Sequence, residues 1–353
     1  MRDAKTDQAW LAAAGLMLLA AGGCSAAEGS DGAAGGGGTG GGYVPGGGTG
    51  GQVAGTGGVA AGTGGTPVQP SPVAPVQSGT RYVFTVGPAS MEIDPQVGGR
   101  ITALSLTGVN LLTGPEVDSI NWGSTLWTAP QDDWTWPPVP EIDNAPYTAT
   151  VSDTLLTLVG PVAPDLGVSV TKEFSADAGT GWFTITYGLT NQSTANRSMA
   201  PWEVSRVRPG GLSFFPTGAG STGDLPVTDI GGTTWFDYTV PTVPRGGHSA
   251  VGDGARGWLA HVESNVLIVK SWTDIPVASQ TPGEGEVKLY TAPGDDNQMA
   301  PYVELEVQGP YASIAPGSTV TWTIRWLITF LPDNVSAVAG SPDLVALVDS
   351  LVQ

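Results

Sequence analysis

The segment YVELEVQ, residues 302–308, places two carboxylates and an amide at every second position. In an extended chain alternate side chains share a face, so Glu304, Glu306 and Gln308 point one way while Val303, Leu305 and Val307 point the other. Residues two apart stand roughly 7 Å apart along a strand. Like charges that close raise the pKa of one member, which suits a general acid or base near neutral pH. A solvated sheet face carries such charges too. A slip of one residue would bury both carboxylates at high cost, so the expectation is that both lie on a polar, concave face.

A second set of residues lies in NWGSTLWTAPQDDWTWPP, residues 121–138. Sugars present a flat C–H face and a rim of hydroxyls; indoles cover the first, and Asp, Asn and Gln satisfy the second. Asn121, Trp127, Gln131, Trp134 and Trp136 supply that mixture, with Trp122, Asp132 and Asp133 among them. Prolines break the segment and argue for a loop, so a sugar platform is expected there. One or two of these tryptophans could instead plug the end of a sandwich. Arg100, Arg206 and Lys270 are further binding candidates, each equally able to serve as a structural ion-pair partner.

Other chemistries lack their signatures. The sequence has no HExxH, no CxxC and no GxSxG. The DDNQ run at Asp295 is oxygen-rich without calcium-loop spacing. No metal and no cofactor is expected. The chain carries 13 basic and 32 acidic residues, a net charge of −19. That balance argues against nucleic acid as a partner, because such binding needs clustered Lys and Arg.

The elements that must position these groups read as β. In TVTWTIRWLITF, residues 319–330, six apolar side chains from Val320 to Phe330 share one face. Period 2 with one polar face means antiparallel strands. RYVFTV, ITALSL, LLTLVG, VSVTKEF, FTITYGL, WEVSRV, GWLAHV, NVLIVKSW and VKLYTA follow the same logic, separated by turn signals such as DAGTG and PGEGE. The one clear helix is SPDLVALVDSLV, with Ser341 as cap, Pro342 in the first turn and a Leu344, Leu347, Val348, Leu351 stripe. The expected class is all-β, with a domain over residues 81–335 and a helical tail over 336–353.

MEIDPQVGGRITALSLTGVNLL, VTKEFSADAGTGWFTITYGLTNQS and YVELEVQGPYASIAPGSTVTWTIRW occur in the order and spacing of galactose mutarotase-like domains. From residue 81 to residue 331 the chain resembles an uncharacterised bacterial branch of that superfamily. The resemblance implies an antiparallel β-supersandwich with a sugar groove on one concave face. It also implies a catalytic base on the Glu-bearing strand, where Glu306 with Gln308 fits the spacing best and Glu304 competes. The acid histidines of mutarotases do not match: APWEVSRV has Trp202 and Glu203 where one is expected, which makes Trp202 a binding candidate. His248 and His261 fall elsewhere.

The N-terminus carries Arg2 and Lys5, then an apolar run too short to span a bilayer. It ends in AGGC, which resembles the lipobox of bacterial lipoproteins. Cleavage after residue 23 and lipidation of Cys24, the single cysteine, are expected. Ser25 after it favours the outer membrane, by resemblance to enteric lipoproteins. Residues 24–80 are rich in Gly and Pro with little apolar bulk, and are expected to form a disordered tether.

The sequence leaves three functions open: a lipid-anchored envelope protein that binds carbohydrate, a sugar-active enzyme using Glu306 and Glu304 (an epimerase, or a glycoside hydrolase or lyase relative), or a structural envelope protein. All but the last take a sugar or glycan as partner. Cys24→Ser should shift the protein from the membrane to the soluble fraction. An unmodified Cys24 in mature protein, found by mass spectrometry, would contradict lipidation.

Overall fold

The structure is a computed structural model and describes residues 69–238, 247–293 and 301–353. The expected signal segment, Cys24, most of the tether and the DDNQ run lie outside the described residues. Two antiparallel sheets, one of 11 strands and one of 12, make up the fold. In the first, Phe183–Asn191 pairs with Val168–Asp177 on one side and Thr319–Phe330 on the other, and Thr319–Phe330 leads on to Val266–Trp272 and Trp258–Glu263. In the second, Arg197–Val207 lies between Ser124–Ala129 and Val303–Gln308, and Val287–Thr291 follows on the far side of Val303–Gln308. Arg100–Leu106 continues the sheet beyond Ser124–Ala129.

Period-2 alternation explains the layers. Leu305 and Val307 of the second sheet join Ile185, Ile324 and Trp326 of the first in one buried cluster between the sheets. The first sheet also buries part of its outer face. Leu212, Trp235, Trp258 and Val262 lie there beneath Leu344 and Val348 of the helix Pro342–Val352. Ser341 caps that helix, its hydroxyl accepting from the Leu344 N–H at 3.3 Å.

The folded region starts earlier than residue 81. Pro72–Val73 pairs with Val168–Asp177, and Val76–Ser78 folds back on Arg81–Val86 through a turn in which Gly79 has φ +63°. Short strands at a sheet edge tolerate proline, so a Pro-rich composition does not exclude them. A one-turn helix at Pro140–Asp143 is likewise unannounced by any periodicity.

Lys270 was expected among sugar-binding groups and is found between the sheets. Period 2 places it with Ile268 and Trp272 on the inward side of its strand. There its ammonium donates to Glu203 Oε1 at 3.0 Å, Ser205 Oγ at 2.6 Å and the Leu305 carbonyl at 3.0 Å, all on the second sheet. Three donors meet three acceptors. Glu203 also accepts from Tyr187 Oη at 2.7 Å and Trp326 Nε1 at 3.2 Å, both on the first sheet. Both charges are fully buried. Removing one partner of a buried pair strands the other, so Lys270→Met should destabilise the fold by about 3–5 kcal/mol. Denaturant unfolding at neutral pH checks this, and a midpoint equal to that of the parent would contradict it.

Candidate functional site

Strand register brings the sequence's two glutamates to one face. Glu304 lies opposite Arg206, Glu306 opposite Val204 and Gln308 opposite Trp202. On the other flank Glu306 lies opposite Lys288, and Glu304 opposite Tyr290. Trp127 lies opposite Trp202 one strand further on. Directly opposed residues share a face, so these side chains line the second sheet on the side turned away from the first.

That shared orientation matches expectation, but the site is drier than a solvated face. Glu304 is 6% exposed and Glu306 0%. Both carboxylates have partners: Arg206 Nε donates to Glu304 Oε1 at 2.8 Å, and Trp202 Nε1 to Glu306 Oε2 at 2.8 Å. Lys288 Nζ stands 3.3 Å from Glu306 Oε1. These contacts offset the cost of burial that had argued for a wet face.

Burial pushes the Glu306 carboxyl up to about 7, against the pull of Lys288 and with the help of Glu304. Burial acts to lower the Lys288 ammonium, but Glu306 and Glu304 outweigh it and raise its pKa. Lys288 keeps 27% of its side chain in solvent. Among the described residues the buried Nη1 and Nη2 of Arg206 and Oε1 of Gln308 make no hydrogen bond, while Oε1 of Glu306 is held by the Lys288 ion pair alone. The Arg206 guanidinium stacks 4.8 Å from the Trp127 ring. Polar atoms of this kind are rarely left unpaired.

The aromatic segment is not one open loop. Trp127 sits inside the strand Ser124–Ala129 and is buried, its Nε1 donating to Asp143 Oδ1 at 2.9 Å. The prolines begin at Pro130 and end that strand rather than prevent it. Trp202 is also buried, its centroid 5.2 Å from that of Trp127. Trp134 is half-buried and donates to the Thr128 carbonyl at 2.9 Å. Trp136, 41% exposed and 6.0 Å from Trp127, is the indole of this group that offers an open ring.

Arg100 is buried and fixed, donating to Asp143 Oδ2 at 2.8 Å and to the carbonyls of Ile120 and Trp122 at 2.9 and 3.1 Å. Asn121 is buried, with its backbone N–H held by Asp118. Gln131 is exposed; its backbone N–H meets Glu284 Oε1 at 3.1 Å, while the other oxygen of Glu284 takes Gln308 Nε2. Lys270 faces the interior, away from the glutamates.

Sequence reasoning missed Asp143, Lys288 and Glu284. Lys288 was legible, since it alternates with Val287 and Leu289. Asp143 was not: it accepts from Arg100, Thr125 and Trp127 out of a single helical turn. The histidines stand apart from the glutamates. His261 is buried against Ser213 Oγ at 2.9 Å, where burial lowers its pKa to about 4, and His248 meets Asp224 at 2.8 Å. Among the described residues no three or more His, Cys, Asp or Glu side chains are grouped to hold a metal.

The family described as a domain of unknown function (DUF4380) matches residues 82–329. The chain belongs to the DUF4380 family. No curated protein matches the sequence. Among solved structures, a galactose mutarotase-like protein from Lactobacillus casei is similar to this DUF4380 member at 10% identity. The match covers 70% of this chain and 100% of that one, with a TM-score of 0.50. The Slr1438 protein from Synechocystis matches at 15% identity over 73% of this chain and 98% of that one, with a TM-score of 0.51. A TPR-domain containing protein from Parabacteroides distasonis matches at 15% identity over 74% of this chain and 50% of that one, with a TM-score of 0.53. At these identities the likeness is one of fold, the galactose mutarotase-like β-sandwich.

Glu306 holds its proton to a higher pH in the folded protein than in the unfolded chain. The native state therefore binds more protons between about pH 4.3 and about pH 7, and this contribution to stability is present below that window and lost as pH rises through it. Burial raises Glu286 to about 8 in the same sense, so the comparison is between parent and Glu306→Gln. The unfolding free energy of the parent should fall relative to the variant across that window. Parallel curves would contradict the shift.

Proposed function

We propose that the outer face of the second sheet recognises a carbohydrate, in an envelope lipoprotein anchored through Cys24. The observation that carries this reading is the pair of buried groups left without partners on Arg206 and Gln308, with Glu306 Oε1 held by Lys288 alone, beside a tryptophan cluster. Hydroxyls of a sugar could serve all three, as donors to the carboxylate and amide oxygens and as acceptors from the guanidinium. Trp136 supplies the apolar surface for the ring. The fold supports the same reading, since it is shared with a protein described as galactose mutarotase-like.

The Glu306 carboxyl, raised to about 7, favours a second reading in which the site also moves a proton on the sugar, as mutarotation requires. Glu306 would take the proton of the anomeric hydroxyl. With both histidines held elsewhere, Lys288 or Glu304 would have to serve the ring oxygen. Binding without turnover needs no such acid, and is the better supported of the two.

A glycan array probed with the purified protein identifies the sugar. Trp136→Ala should then weaken binding by about 1–3 kcal/mol while leaving the melting temperature near that of the parent. Unchanged affinity in that variant would remove Trp136 from the site. For the second reading, α-anomers of common hexoses are followed by optical rotation. A rate above the spontaneous one that Glu306→Gln abolishes supports proton transfer, and the spontaneous rate for every sugar removes it.

A further inference from the structure

An open cleft of about 330 Å³ lies not over Glu304 and Glu306 but at the far end of the aromatic segment. Its lining is mainly polar, with Met199 and Leu166 buried at its base and Tyr311 adding a ring. Asp133, Asp165 and Arg197 are among its exposed polar groups. Ligand pockets run to roughly 300–1,000 Å³, so the space holds a small polar molecule.

The cleft is linked to the face already described through packed side chains. Tyr311 and Trp134 both pack on the cluster of Trp127, Trp202 and Val204. Asp133 directly precedes Trp134, whose ring lies 6.4 Å from that of Trp202. Trp202 in turn holds Glu306. Ser198, also in the cleft lining, stands four residues before Trp202 on the same strand, about 13 Å away. That separation exceeds a single sugar ring.

We propose that this cleft is a second sugar subsite, and that the ligand is a neutral oligosaccharide reaching from the Glu306 face past Trp134 to Tyr311. The proposal rests on the reading of the Glu306 face as a sugar site. Two carboxylates and one guanidinium leave the cleft slightly negative, which disfavours an acidic ligand and suits vicinal hydroxyls. Tyr311 offers a ring at the edge of a lining that is otherwise mainly polar.

Calorimetric titration of the purified protein with α-glucan, β-glucan, β-xylan and chitin oligomers of one to four units tests this. For the series that binds, affinity should rise about tenfold or more between one unit and the longer oligomers. Tyr311→Ala should bring the longer oligomers down to the single-unit value and leave the single unit unchanged. Tyr311 packs on the tryptophan cluster, so Asp165→Asn combined with Asn196→Ala, both exposed residues of the cleft lining, is the second variant, with loss in the same direction. Affinity independent of length, or full affinity for long oligomers in both variants, overturns the subsite. If Trp136→Ala weakens binding and the cleft variants do not, the subsite falls and the Glu306 face stands. If the cleft variants weaken binding and Trp136→Ala and Glu306→Gln do not, the cleft binds sugar by itself, and the reading of the Glu306 face falls together with the ligand that spans the two. No binding to any oligomer overturns both.

Discussion

The two sheets meet at a buried charge. Lys270 reaches from one sheet into the other and spends all three of its N–H groups there, on Glu203, Ser205 and the Leu305 carbonyl. Glu203 answers by accepting from Tyr187 and Trp326 of Lys270's own sheet. Apolar packing is non-directional, whereas these hydrogen bonds fix one registry between the layers. Leu305 lies between Glu304 and Glu306, so the strand that carries both glutamates is held from behind. Ser205 passes the link on to Ser124 at 2.7 Å, and so to the strand that carries Trp127.

On the outer face a second polar system depends on this alignment. Arg206 is shared between Glu304, through its Nε, and the face of Trp127. Asp143 fixes Trp127 from the other side and binds Arg100 with the same carboxylate. Most of these groups are occupied in holding one another. What remains without a partner is narrower: the buried Nη atoms of Arg206 and one oxygen of Gln308, with the second Glu306 oxygen held by Lys288 alone and the ring of Trp136 exposed. The atoms without partners are therefore what a structural network leaves over, gathered on one face.

Alternation made the orientation of Glu304, Glu306 and Gln308 legible, because side-chain direction in a strand is local. Their burial was not, because Arg206 lies 98 residues away from Glu304 in sequence and no spacing rule joins them. Lys270 shows the converse error. Its strand has apolar neighbours on both faces, so period 2 alone could not tell inside from outside, and charge suggested a surface. The prolines after Trp127 were read as breaking a segment whose first part is an ordinary strand, Ser124–Ala129. Composition hid the strands Pro72–Val73 and Val76–Ser78 in the same way.

The fold is shared with galactose mutarotase-like proteins, but the stretch where the resemblance implied a histidine on the middle strand reads Trp202-Glu203 here, an indole on the outer face and a buried glutamate between the sheets. The outer face of the second sheet carries Glu306, which burial pushes up to about 7, beside the rings of Trp202, Trp127 and Trp136. A crystal structure of the protein with its array-selected glycan tests the central claim most directly. The account requires a sugar ring against Trp136, with hydroxyls within hydrogen-bond distance of Arg206 Nη1 or Nη2 and of Glu306 Oε1. A glycan bound elsewhere, with none of those atoms contacted by a hydroxyl, would contradict it.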